Sequence, residues 1–161
     1  MSPTRAPGDG PEQRPGAARP AETLKETSYG GAVVRPRADG HELLVIVPRG
    51  TRVVGLPKGG ASPGETPEET AVREVREETG TNVSIREPLG EVSYWYRRHG
   101  RRIFKTVHFF LCDYLSGDTA DHDHEVDEAR WMPLEAATTQ LSYPAERQLA
   151  RLAQSKLAAD R

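Results

Sequence analysis

The residues able to do chemistry are concentrated between Gly59 and Gly80, in the run GGASPGETPEETAVREVREETG. Six glutamates stand there: Glu65, Glu68, Glu69, Glu74, Glu77 and Glu78. Glu74 is four residues before Glu78 and three before Glu77, so on a helix these carboxylates share one side. Like charges at that spacing cost about 0.2–0.5 kcal/mol per pair. A helix that only had to fold would gain by exchanging Glu74 or Glu78 for lysine. A divalent, oxygen-seeking cation such as Mg2+ turns the same repulsion into binding, and Mn2+ offers similar chemistry. The plainer alternative is a solvated face on which Arg73 pairs with Glu69 and Glu77, and Arg76 with Glu69.

Local signals give this helix its ends. Thr66 is a natural N-cap, Pro67 suits the first helical position, and Glu69 completes a capping box. Gly80 is a left-handed stop. Ala71, Val72 and Val75 are the residues expected to face a core.

Ahead of the helix, Tyr29–Arg35 and His41–Val47 read as strands joined by a turn at Asp39-Gly40. Val53–Leu56 reads as a short strand or extended piece leading into Pro57-Lys58-Gly59-Gly60. After the helix come Val83–Ile85, Gly90–Tyr96, a basic turn over Arg97–Arg102, and a strand over Ile103–Tyr114. That strand carries Thr106, His108, Phe110 and Cys112 on one face and Val107, Phe109 and Leu111 on the other, the pattern of a central strand. Leu115–Asp127 is an acidic loop, Ala129–Met132 a short strand and Pro133–Thr138 a short helix. Ala145–Ala158 is an amphipathic helix with Leu149, Leu152 and Leu157 toward the core. Strands interleaved with helices make an α/β sandwich.

The chain has 161 residues, a length that suits one domain. Residues 1–26, rich in Pro, Gly, Ala and Arg, read as a flexible tail, and 27–161 as the folded domain. A net charge of −2 gives no support for a strongly basic nucleic-acid binder. The single cysteine, Cys112, excludes an internal disulfide and fits a reducing cytoplasm. No apolar run reaches the roughly 18 residues of a membrane span, and no apolar segment marks a secretory signal.

Gly59, five residues, Glu65, seven residues and then Arg73-Glu74-Val75-x-Glu77-Glu78-x-Gly80 reproduce the signature of one family. The chain resembles the Nudix hydrolases over about residues 27–158. One position departs: Thr81 stands where the family has an aliphatic residue, which puts local packing rather than chemistry in question. The resemblance implies a Nudix-type α/β/α sandwich with a mixed central sheet, and Mg2+-dependent hydrolysis of a phosphoanhydride bond. By resemblance, Glu77 and Glu78 are the principal metal ligands, with the Gly59 carbonyl beside them. Glu74 is a ligand or the general base. Glu65 supports the metal shell, and Arg73 holds the glutamates by ion pairing. Glu125, in the loop Asp121–Asp127, stands where related enzymes place an extra acidic residue, and is the second choice for the base. The physical logic agrees: carboxylates alone repel a polyphosphate, whereas bridging cations attract it and acidify a bound water.

Leu56-Pro57-Lys58-Gly59, Tyr94-Trp95-Tyr96 and Phe104–Val107 are similar to the bacterial diadenosine-polyphosphate hydrolases of the family. Lys58, Arg102 and Lys105 are expected to neutralise the phosphate chain, and Tyr94, Tyr96 or Tyr143 to stack on adenine. The substrate expected is diadenosine tetraphosphate, cleaved to ATP and AMP. Three alternatives stay open: a MutT-type oxidised nucleoside triphosphate, a diphosphoinositol polyphosphate or an RNA 5′-pyrophosphate. A non-catalytic ligand sensor is a fourth, against which the intact Glu74, Glu77 and Glu78 argue. The expected partner is the nucleotide alone, bound by a cytoplasmic monomer or homodimer with no nucleic-acid or membrane partner.

Overall fold

The structure, a computed structural model, describes residues 23–160. The tail expected over residues 1–26 falls outside the described residues up to residue 22, and Leu24 to Glu26 are already strand. The elements run β1 (Leu24–Arg37), β2 (Gly40–Pro48), β3 (Lys58–Gly60), α1 (Pro67–Thr79), β4 (Thr81–Arg98), β5 (Arg101–Gly117), β6 (Val126–Pro133), α2 (Leu134–Gln140) and α3 (Pro144–Ala159), with one 3-10 turn at Thr119–Asp121. The strands form a six-stranded sheet in the order β4-β5-β1-β2-β6, and β3 pairs with β1 off that path. β2 and β3 each run antiparallel to β1, as does β6 to β2. No helix among the described residues is long and apolar enough to cross a membrane.

The described chain divides into two units. The larger comprises residues 27–92 and 106–160. Here alternation along each strand feeds two cores. Ala32, Val34, Leu43, Val45, Val107, Phe109 and Leu111 pack with Leu134 and Ala137 of α2 and Leu149, Ala150, Ala153 and Leu157 of α3. Val33, Leu44, Phe110 and Cys112 pack with Ala71 and Val75 of α1. A sheet with apolar residues on both faces, each covered by helix, is the α/β layering expected. β5 is an interior strand, as its two apolar faces predict.

Several details differ from expectation. Leu152 is exposed, and Ala150 and Ala153 take its place in the core. Val83–Ile85 and Gly90–Tyr96 belong to one strand of 18 residues. Val53–Leu56 is not a strand; Gly55 makes an isolated bridge to Ile46, and β3 begins at Lys58. Thr81 is fully buried, its hydroxyl 2.8 Å from that of Thr79. The two threonines satisfy each other where an aliphatic side chain would otherwise pack.

The smaller unit comprises residues 23–26 and Ser93–Lys105. Its tip is a tight turn at His99-Gly100, both with positive φ (52° and 77°), the backbone that joins right-twisted antiparallel strands.

Candidate active site

α1 has the ends its sequence predicts. Thr66 accepts from the Glu69 amide at 3.1 Å, and the Glu69 carboxylate accepts from the Thr66 amide at 3.0 Å. Gly80 closes the helix at φ 75°, donating to the Arg76 carbonyl. With both ends pinned and Ala71 and Val75 buried, the turn carrying Arg73, Glu74, Glu77 and Glu78 has one orientation.

Arg73 organises the carboxylates. It grips Glu65 with two short bonds, Nε to Oε2 at 2.6 Å and Nη2 to Oε1 at 3.0 Å. Its contacts to Glu74 and Glu77 are longer, 3.2 Å each from Nη1, and Nη2 also donates to the Gly60 carbonyl. Glu65 further accepts from the Ser62 amide and the Thr70 hydroxyl. These donors, the Arg73 bond foremost, hold the Glu65 carboxyl down at about 2. Glu65 is therefore the anchor of Arg73, and Glu74 and Glu77 are the carboxylates that Arg73 holds loosely.

Glu74 lies against Gly59 so closely that any side chain at 59 would collide with its carboxyl group. This is the physical reason for glycine there. Burial raises the Glu74 pKa, Arg73 opposes the rise, and the charges of Glu77 and Glu125 add to it. Glu78 accepts a hydrogen bond from the Lys58 amide at 3.0 Å. Burial pushes its carboxyl up to about 8 against the pull of Lys58, and the charges of Glu74 and Asp123 push the same way. The acidic loop is tied to the helix by the Asp123 amide, which donates to the Glu77 carbonyl at 2.8 Å. Glu125 is exposed, its amide bonded to the Asp123 side chain.

Carboxylates that raise one another's pKa are short of positive charge. The donor set, all oxygen and mostly carboxylate with the Gly59 backbone alongside, fits a hard dication by type. Among the described residues no three acidic, histidine or cysteine side chains converge to hold an ion as they stand. Glu74 and Glu77 point to Arg73 instead, through the two long contacts that are easiest to exchange.

The residues expected at the substrate are distributed over both units. Lys58 in β3 and Tyr143, half-exposed at the N-cap of α3, belong to the larger one. Within the smaller unit, Glu26 accepts from the Tyr96 hydroxyl at 2.5 Å and from Arg98, and lies 3.7 Å from Lys105. The Tyr94 ring lies 6.2 Å from that of Tyr96. Arg102 is not with them: its guanidinium lies 4.2 Å over Trp95, which packs on Phe104. The Tyr96 hydrogen bond and Arg98 hold the Glu26 carboxyl below its usual range.

Two features escape a sequence reading. Tyr29, the register partner of Gly59, stacks on His108 with centroids 5.5 Å apart and planes 21° apart, and His108 lies 3.5 Å from Glu91. Their place beside the glutamate loop follows from long-range strand pairing. Glu146 of α3 is 5% exposed, and accepts from the Leu56 amide at 3.1 Å. A glutamate in the first turn of a helix reads as an ordinary capping residue, which gives no hint of burial.

Comparison with known proteins agrees with this geometry. The model of the family described as NUDIX domain matches residues 29–153. A Mycobacterium tuberculosis relative named as a mutator protein, MutT4, is 42% identical over 137 residues, or 81% of this chain and 55% of that protein. An 8-oxo-(d)GTP phosphatase of Mycolicibacterium smegmatis is 36% identical over 96 residues, 60% of this chain and 28% of that protein. The chain thus spans about half the length of the first relative and less of the second. Among solved structures, a binary complex of the C. elegans Ap4A hydrolase superposes with a TM-score of 0.69 at 25% identity, covering 83% of this chain and 98% of that one.

Proposed function

The chain belongs to the Nudix family, and from that premise we propose that it is a divalent-metal-dependent pyrophosphohydrolase of nucleoside polyphosphates. The observation that carries this reading is the set of Glu74, Glu77 and Glu78 on one side of α1, with Glu78 bonded to the Lys58 amide, Glu74 against Gly59 and Glu77 held by Arg73. Glu74, Glu77, Glu78 and the Gly59 carbonyl would hold Mg2+ or Mn2+, which supplies charge for phosphate oxygens and acidity for a bound water. The chain's own groups do the rest. Arg73, anchored on Glu65, limits where Glu74 and Glu77 can turn. The Lys58 amide fixes Glu78. Glu74, whose pKa burial raises, is either a ligand of the metal ion or the general base, and Glu125 is the alternative base. Water attacks one phosphorus, its proton passes to the base, and the anhydride P–O bond breaks with the electron pair leaving on the second phosphate.

Diadenosine tetraphosphate, cleaved to ATP and AMP, is the substrate we favour. The likeness to the C. elegans Ap4A hydrolase over most of both chains supports it. Tyr29 stacked on His108 beside Gly59 offers an aromatic surface for a base. An oxidised nucleoside triphosphate is the second reading, favoured by the names of the two mycobacterial relatives. Product analysis separates them: diadenosine tetraphosphate, 8-oxo-dGTP and ADP-ribose are each incubated with Mg2+ and then with EDTA. ATP plus AMP from the first, abolished by EDTA, is the expected result. Faster cleavage of 8-oxo-dGTP would replace the substrate and keep the metal chemistry. No hydrolysis of any nucleotide would favour a ligand sensor.

A further inference from the structure

We propose that Glu146 is a positioning residue for this active site. Its carboxylate holds the Leu56 amide, and thereby sets the short segment that brings the Lys58 amide to Glu78 and Gly59 to Glu74. The proposal rests on the function inferred above.

Glu146 stands at the third position of α3, where a glutamate ordinarily turns back to its own N-cap amide. The N-cap, Tyr143, makes no side-chain cap, and the carboxylate crosses instead to a segment 90 residues earlier. Its neighbours do the same. The Val54 amide donates to the Ser142 hydroxyl at 2.8 Å, and the Ser142 amide donates to the Val54 carbonyl at 2.9 Å. Gly55 exchanges both backbone bonds with Ile46, at 2.8 and 2.9 Å. Val54, Gly55 and Leu56 thus have their amides assigned one by one; at Val54 and Leu56 the acceptor is a side chain, and at Leu56 it is a buried carboxylate.

Little slack separates Leu56 from the site. Only Pro57 intervenes before Lys58. Its φ is fixed by its ring, and its carbonyl accepts from the Gly31 amide at 3.2 Å. The next amide, that of Lys58, donates to Glu78, and the next residue, Gly59, lies against the Glu74 carboxyl. Leu56 is itself buried, 3% exposed. Without Glu146 the buried Leu56 N–H loses this acceptor, a cost that movement of the segment relieves. A movement at Leu56 is passed to Lys58 and Gly59.

The test uses the full chain with Glu146→Gln and Glu146→Asp. Gln keeps an oxygen at the same reach; Asp withdraws it by one methylene. Four quantities are read: hydrogen exchange of the Leu56 and Lys58 amides by NMR in metal-free protein, Mn2+ affinity, kcat and KM for the hydrolysed nucleotide, and Tm. Gln should keep both amides protected and stay close to wild type in kcat. Asp should lose protection at Leu56 and Lys58, and weaken Mn2+ binding or kcat by roughly 10- to 100-fold, with KM little changed. The proposal is overturned if Asp lowers only Tm, leaving Lys58 protection, Mn2+ affinity and kcat as in wild type. It is equally overturned if Gln keeps both amides protected yet loses kcat, a result that decides the matter even where Asp does not fold. Should the wild type hydrolyse no nucleotide, the functional reading fails by itself, while exchange and Mn2+ affinity still decide the role of Glu146.

Discussion

Metal uptake by this chain should release a proton, and Glu78 is the group that loses it. Without metal, burial pushes its carboxyl to about 8, reinforced by Glu74 and Asp123 and opposed by the Lys58 amide and charge. A dication takes the carboxylate form only. At pH 7, one unit below that value, about one site in ten is ionised, so the apparent affinity should be about tenfold weaker than its plateau, or about 1.4 kcal/mol. Affinity should fall a further tenfold or so per pH unit on the acid side and level off above about pH 8. The sign for folding is the reverse of a salt-bridged carboxylate. The folded chain binds this proton more tightly than the unfolded chain, so metal-free stability should decline as pH rises from the ordinary glutamate value of 4.5 toward 8. Saturating metal should remove that decline. Titration calorimetry with Mg2+ or Mn2+, in buffers of different protonation enthalpy, reads the affinity and the proton count together. An affinity flat between about pH 6.5 and 8.5, with no proton released, would refute the reasoning.

Four further outcomes are expected. Glu78→Gln should abolish nearly all turnover with an unchanged far-UV spectrum and, because Gln does not ionise, a metal-free Tm at neutral pH no lower than that of wild type; activity within a few-fold of wild type would sink the metal assignment. Gly59→Ala forces a methyl against the Glu74 carboxyl, so denaturation should show a loss of about 1–3 kcal/mol and steady-state assays a fall in kcat. Thr66→Ala breaks the capping box; about 1 kcal/mol should be lost in urea unfolding, with activity retained. Phe109→Ala, at a site 2% exposed in the larger core, should cost about 3–5 kcal/mol in the same measurement.

The site was legible where its determinants are local. The ends of α1 depend on Thr66, Pro67, Glu69 and Gly80, all within one run, and each takes the expected role. The common side of Glu74, Glu77 and Glu78 follows from helical spacing alone. Features fixed at long range were not legible. Val83–Ile85 and Gly90–Tyr96 read as separate pieces, yet β4 runs through Pro88 between them, because an edge strand has a side on which a missing N–H costs nothing. Val53–Leu56 has the composition of a strand, but its amides are claimed by Ile46, Ser142 and Glu146, while the poor strand formers Lys58-Gly59-Gly60 pair with β1. On α3, Leu149 and Leu157 face the core as read, but Leu152 is exposed, and Ala150 and Ala153, too small to announce a core face, complete the buried stripe. Arg102 and Tyr96 are close in sequence, but pleating gives them different partners, Trp95 for one and Glu26 for the other.

The two-faced burial of β1 and β2 also bears on strand register. In a sheet with one wet face, a slip of one residue drives apolar side chains into water, and polarity alone forbids it. Here Leu43 and Val45 serve one core and Leu44 the other. A slipped β2 would trade them and still expose little. Register must instead be held by the hairpin, where Arg37 faces Gly40 across Ala38 and Asp39, and by the cross-strand pair Arg35 and Glu42 at 2.8 Å. A single residue inserted between Ala38 and Asp39 would exchange the side chains offered to α1 with those offered to α3. The glutamate helix would then rest on the wrong set, without a single change between Gly59 and Gly80.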